Sequence, residues 1–79
     1  MVNRQRRPTH PGAILREDLL PALKITQTDL AYCLQVSRRS ISEVIHEHRS
    51  ISVDLANRLA NFFNTTPEFW LNMQQAVDI

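Results

Sequence analysis

From Ala22 to Thr66 the chain contains neither glycine nor proline. The one glycine is Gly12, and the prolines stand at 8, 11, 21 and 67. Tight hairpins draw on Gly and Pro, so a chain this short of breakers cannot make many of them. Helices are what remains, because they need breakers only at their ends. At 79 residues the chain has room for one domain and one modest core. Hydrophobic residues make up 43% of it, mostly Leu, Ile, Ala and Val, which is the composition of a globular protein. Domains of this size are marginal alone and often gain stability by pairing.

The pattern resolves into a basic arm over 1–9 and an all-α domain of five helices over 10–79. Pro11 suits the first turn of helix one, where its missing N–H is not needed. Ile14, Leu15, Leu19, Leu20 and Leu23 then recur at helical spacing, with Arg16, Glu17 and Asp18 on the solvated side. Pro21 is expected to kink or end this helix. Thr26 is an N-cap with Asp29 three residues on, which resembles a capping box. Leu30, Ala31 and Leu34 form the inner face of helix two. Gln35 and Val36 make a turn, and Ser37 caps helix three, Arg38 to about Ile45. After a polar loop, His46 to Ser50, Ser52 caps a fourth helix with Leu55, Ala56, Leu59, Ala60 and Phe63 inside. Asn64 is its left-handed stop. Thr66 caps the fifth helix, and Pro67 takes its first position.

Residues 27–45 have the makings of a helix-turn-helix. That motif joins two short helices by a three- or four-residue turn at a steep angle. Ala31 supplies the small residue at the crossing, and Leu30, Leu34, Val36, Ile41 and Val44 stand where they can lock the pair from beneath. The second helix must keep one face polar to enter a major groove, and Arg38, Arg39, Ser40, Ser42 and Glu43 provide it. Arg bonds guanine O6 and N7 bidentately. Gln27, Ser37, Ser40 and Arg49 are expected on phosphates, and Ser42 and Glu43 to add discrimination. A Ser-Arg-Arg-Ser run alone is more often a solvated helix start; the spacing from Gln27 to Ile41 gives it weight.

Charge is divided along the chain. Residues 1–39 carry seven basic and three acidic side chains, net +4; residues 40–79 carry two basic and five acidic, net −3. The basic half suits a polyanion. Cys33 is the only cysteine, so no internal disulfide forms, and a buried small hydrophobe is its expected role. No apolar run is long enough to span a bilayer, and Pro8 to Pro11 interrupt any signal-peptide core after the basic start. A cytoplasmic protein of prokaryotic type is expected. His46 and His48 flank Glu47 in a loop with His10 remote, too little for a metal site. There is no Ser–His–acid set and no Gly-rich phosphate loop, so neither an enzyme nor a cofactor is expected.

Read along its length, the sequence resembles the HigA-type antitoxins, a branch of the Xre/phage-repressor helix-turn-helix family. The resemblance runs from His10 to Gln74. It rests on His10-Pro11-Gly12-Ala13-Ile14-Leu15-Arg16-Glu17, on Thr26-Gln27-Thr28-Asp29-Leu30-Ala31, and on Val36 through Ile45. Arg49-Ser50-Ile51-Ser52, Arg58-Leu59-Ala60 and Pro67 through Gln74 complete it. It implies a lambda-repressor-like (Xre) domain, a homodimer on double-stranded operator DNA in its own promoter, and a nucleoid-associated location. It further implies neutralisation of a HigB-type toxin, a ribosome-dependent mRNA endonuclease. Family DNA contacts fall here on Gln27, Ser37, Arg38, Arg39, Ser40, Ser42 and Glu43, and the helix from Pro67 is implied as the dimer-forming region. The family pattern has Gly where this chain has Gln35, and Asn-Gly where it has His46-Glu47. If the backbone is still left-handed at Gln35 and Glu47, each bears strain of about 1 kcal/mol. Glu47 also sets a negative charge near the expected DNA backbone.

The aromatic cluster of the last two helices exceeds what one small core is expected to enclose. Phe69, Trp70, Met73 and Val77 are the expected dimer interface. Three readings stay open for Arg4, Arg6 and Arg7: a groove or backbone contact, a toxin contact, or no role. A free-standing Xre-type transcriptional regulator with no toxin shares every DNA-facing residue, and a purely protein-binding helical module is a more distant rival.

Overall fold

The computed structural model describes residues 9–78. The Arg4, Arg6 and Arg7 arm lies outside the described residues. The first helix, α1, runs without interruption through Pro11–Ile14, Leu15–Leu19 and Leu20–Leu23. It is followed by α2 (Gln27–Leu34), α3 (Arg38–Ile45), α4 (Val53–Phe63) and α5 (Pro67–Asp78). Among the described residues there is no strand, and no helix is long and apolar enough to cross a membrane.

Pro21 neither ends nor breaks α1, contrary to the expectation from its sequence. The stretch Leu15–Leu19 widens to a π turn, and the Leu20 N–H bonds the Leu15 carbonyl five residues back. A π turn is a known way for a helix to absorb a misfit in its hydrogen-bond ladder. The helix stops one turn later at Lys24, which is left-handed with φ 58°. Leu23, counted among the inward residues, is 49% exposed at that end.

The remaining helices begin as the capping residues dictate. Thr26 and Asp29 form a reciprocal capping box: the Asp29 N–H donates to Thr26 Oγ1 at 3.1 Å, and the Thr26 N–H to the Asp29 carboxylate at 3.0 Å. Ser37 Oγ accepts from the Ser40 N–H at 3.0 Å, and Ser52 Oγ from the Leu55 N–H at 3.1 Å. Each such cap contributes about 1 kcal/mol. Asn64 ends α4 in the left-handed region, as its side chain favours.

One core joins all five helices. Leu15, Leu30, Ile41, Val44, Ile45, Ala56, Leu59 and Trp70 are wholly enclosed. With α3 only eight residues long, it is too short to be stable by itself. Its enclosed Ile41, Val44 and Ile45 hold it, at about 1.5–3 kcal/mol each. Two expectations are corrected by this core. Trp70 is not at a surface; its ring is sealed under Phe63 and Phe69, and its Nε1–H donates to Thr65 Oγ1 at 2.8 Å. It therefore has no area to give a second chain. Cys33, in turn, is exposed rather than buried, because α2 turns Leu30, Ala31 and Leu34 inward.

The tightest approach in the fold is between α1 and α3. A Cβ built on Gly12 would overlap the carbonyl of Val44. His10, itself buried, caps α1 by accepting the Gly12 N–H on Nδ1 at 2.9 Å. Gly12→Ala is therefore expected to lower the unfolding free energy by about 2 kcal/mol, as overpacking against a fixed backbone does. Urea titration checks this; wild-type stability in the variant would show that the two backbones are not in forced contact.

Candidate nucleic-acid interface

The two helices α2 and α3 meet through Gln35, Val36 and Ser37. Gln35 is left-handed at φ 59°, and the Val36 N–H donates to the Ala31 carbonyl at 3.1 Å. That six-to-one bond is the signature of a Schellman ending. Ala31 is buried at the crossing, and Val36 packs partly buried against the core. Gln35 and Glu47 both adopt the left-handed backbone that favours glycine, at φ 59° and 63°, so both bear the strain expected of a side chain there.

Each helix of the pair is closed at its C-terminus by an arginine from elsewhere. Arg58 of α4 donates Nη1 to the Leu34 carbonyl at 2.7 Å and is itself held by Asp54 at 2.9 Å. Arg16 of α1 donates Nη1 to the Ile45 carbonyl at 2.6 Å. A cation at a helix C-terminus satisfies an orphan carbonyl and answers the negative end of the dipole. Arg16 was expected in solvent; it is partly buried instead, with Nη2 on Glu17 at 2.9 Å and on Glu47 at 3.2 Å. The Glu17 carboxylate first, then that of Glu47, hold its guanidinium above the ordinary arginine value, against a smaller opposing effect of burial. The Glu47 charge that seemed set against DNA is thus turned onto Arg16.

The polar face of α3 carries the residues expected there. Arg38 and Arg39 stand side by side in its first turn, both exposed. Arg38 donates Nε to Thr28 Oγ1 at 2.9 Å, and Arg39 donates Nε to Glu43 Oε2 at 3.2 Å. Among the described residues neither has another hydrogen-bond partner, which leaves the terminal Nη pairs of two exposed side chains open to a ligand. That edge is the one that makes bidentate bonds to guanine.

The structure brings Ser37, Ser40, Arg39, Glu43 and Arg49 into one network. Ser37 donates its hydroxyl to Ser40 Oγ at 2.9 Å, and Arg49 donates Nη1 to the same oxygen at 3.1 Å. Arg49 Nη2 lies 2.8 Å from Glu43 Oε1. Ser40 thus accepts twice and keeps its own proton to give, whereas the Ser37 hydroxyl is spent on the cap and on Ser40. Ser42 stands apart from the network, beside His46, whose Nδ1 is 2.8 Å from the Ser42 carbonyl. Gln27, in the first turn of α2, is joined to none of these by a hydrogen bond among the described residues. The supporting contacts of Thr28, Arg16 and Arg58 carried no signal in the sequence because these partners lie ten to thirty-one residues away.

A sequence model of the family described as Helix-turn-helix matches residues 15–70. The chain belongs to the helix-turn-helix family, of Xre type. It is 43% identical over 79 residues to the uncharacterized HTH-type transcriptional regulator YbaQ of Escherichia coli K12, covering all of this chain and 70% of that one. Among solved structures it is similar to an addiction module antidote protein of the HigA family from Coxiella burnetii. The identity is 46%, the TM-score 0.86, and the match covers 92% of this chain and 79% of that one. It is also similar to Pseudomonas aeruginosa antitoxin HigA, solved with the higBA promoter, at 40% identity and a TM-score of 0.87. That match covers 91% of this helix-turn-helix chain and 78% of the other. The resemblance to HigA-type antitoxins read from the sequence is thereby met by solved structures.

Proposed function

We propose that this chain is a sequence-specific DNA-binding antitoxin of prokaryotic, cytoplasmic type. It represses its own toxin–antitoxin operon as a homodimer and neutralises a HigB-type toxin. One observation carries the DNA-binding reading: Arg38 and Arg39 sit adjacent on the exposed start of α3, each fixed through Nε and with no other hydrogen-bond partner among the described residues. Two copies would place two such helices in successive major grooves about 34 Å apart. Arg38 and Arg39 read base edges, while Ser40 and Arg49, with Gln27, hold phosphates. Ser37 serves chiefly as the cap that sets α3.

The dimer is proposed along one face of α5. Phe69, Met73 and Val77 follow each other at four-residue spacing, and Phe69 is 45% exposed. The toxin partner is supported by the likeness to HigA-family antitoxins. The likeness to YbaQ, whose name describes an HTH-type transcriptional regulator, favours a second reading, a regulator without a toxin. The neighbouring gene separates the two: a small basic ribonuclease-like protein encoded just upstream would favour the antitoxin, and its absence the regulator.

The test is binding to DNA upstream of its own gene, titrated across salt, for wild type and an Arg38→Ala/Arg39→Ala variant. Wild type is expected to bind selectively and with steep salt dependence, and the variant to lose about 100-fold or more, at ~1–3 kcal/mol per lost base contact. Equal binding by a folded variant would remove α3 from the interface. Phe69→Asp is expected to sediment as a monomer; an unchanged dimer would move the contact off α5.

A further inference from the structure

Glu43 sits between two arginines on the face proposed to meet DNA. Arg39 reaches it from the preceding turn of α3, and Arg49 from the loop that follows the helix. The arginine side chains are 86% and 50% exposed, the glutamate 29%. Ion pairs this exposed add little to stability. What the carboxylate changes is the charge that an approaching phosphate backbone meets.

We propose that Glu43 is a specificity-determining residue that suppresses sequence-independent DNA binding by pairing with Arg39 and Arg49. The proposal rests on the DNA-binding reading above. Sequence-independent affinity comes from Lys and Arg neutralising phosphates and releasing counterions. A guanidinium already paired with a carboxylate has less to give a phosphate, and the carboxylate itself is repelled. Every duplex meets that penalty. A guanine edge meets Arg39 differently: its Nη pair bonds O6 and N7 while Nε stays on Glu43. The Arg39 pairing therefore survives the specific contact, where only the Arg49 pairing is drawn on, whereas a non-specific duplex meets both, which widens the gap between them. Glu43 acts as a positioning and charge-setting residue and touches no base.

The experiment compares wild type and Glu43→Gln on a random-sequence duplex and on DNA upstream of the gene, across salt. Circular dichroism confirms that each variant is folded. Glu43→Gln is expected to bind the random duplex about tenfold tighter, with a slope of log affinity against log salt steeper by about one to two. Binding to the upstream DNA should change less, so the ratio of the two affinities falls. In an Arg39→Gln/Arg49→Gln background the same substitution should give no gain. Unchanged affinity for the random duplex overturns the proposal, and so does a gain that persists without both arginines, since that is plain charge. The random duplex decides this by itself. Wild-type protein that does not prefer the upstream DNA would instead overturn the operator-binding function.

Discussion

The contact on which the rest depends is the seating of α1 on the backbone of α3. Gly12 lets the two helix backbones approach until only a hydrogen fits against the Val44 carbonyl. One turn along, Arg16 closes the same helix by taking the Ile45 carbonyl. Between them these residues fix both the depth and the end of an eight-residue helix that could not stand alone. Because α3 is fixed from behind, its opposite face is free to be wholly polar. The aim of Arg38 and Arg39 follows from a glycine and an arginine on a different helix.

The surface built on this support is short of flexible parts. Arg38 is tied to α2 through Thr28, Arg39 to Glu43, and Arg49 to both Ser40 and Glu43. Long side chains held before contact lose less entropy on binding. In the role proposed for Glu43, the same ties would make the face selective by withholding charge from any duplex that offers phosphates alone. Left-handed Gln35, which ends α2, and Glu47, just past the end of α3, stand where glycine would be easier. Glu47 recovers something for that strain through its pairing with Arg16.

Much of this was legible in the sequence, and for definite reasons. Caps act over three residues, so Thr26, Ser37, Ser52 and Thr66 each marked a helix start before any contact was known. The 3.6-residue period gave the inner faces of α2, α3 and α4. What escaped was set by neighbours distant in the chain. Arg16 looked like a solvated charge because its carbonyl partner is twenty-nine residues away, and the carbonyl that Arg58 takes lies twenty-four residues away. Pro21 looked like a stop because a π turn leaves no local signature. Trp70 looked like interface because the sequence does not show that α4 and α5 close over it. Gln74 gave no sign that its buried amide would bond the Ile51 N–H across twenty-three residues.

The central claim is that the arginine face of α3 enters the major groove of DNA upstream of its own gene, twice per dimer. Methylation interference tests it most directly, since a methyl on guanine N7 blocks the major-groove edge that Arg38 and Arg39 are held to meet. The account predicts interference at guanines in two clusters about one helical turn, roughly 34 Å, apart. Interference confined to adenine N3 in the minor groove, or none on DNA that the protein demonstrably binds, would contradict it.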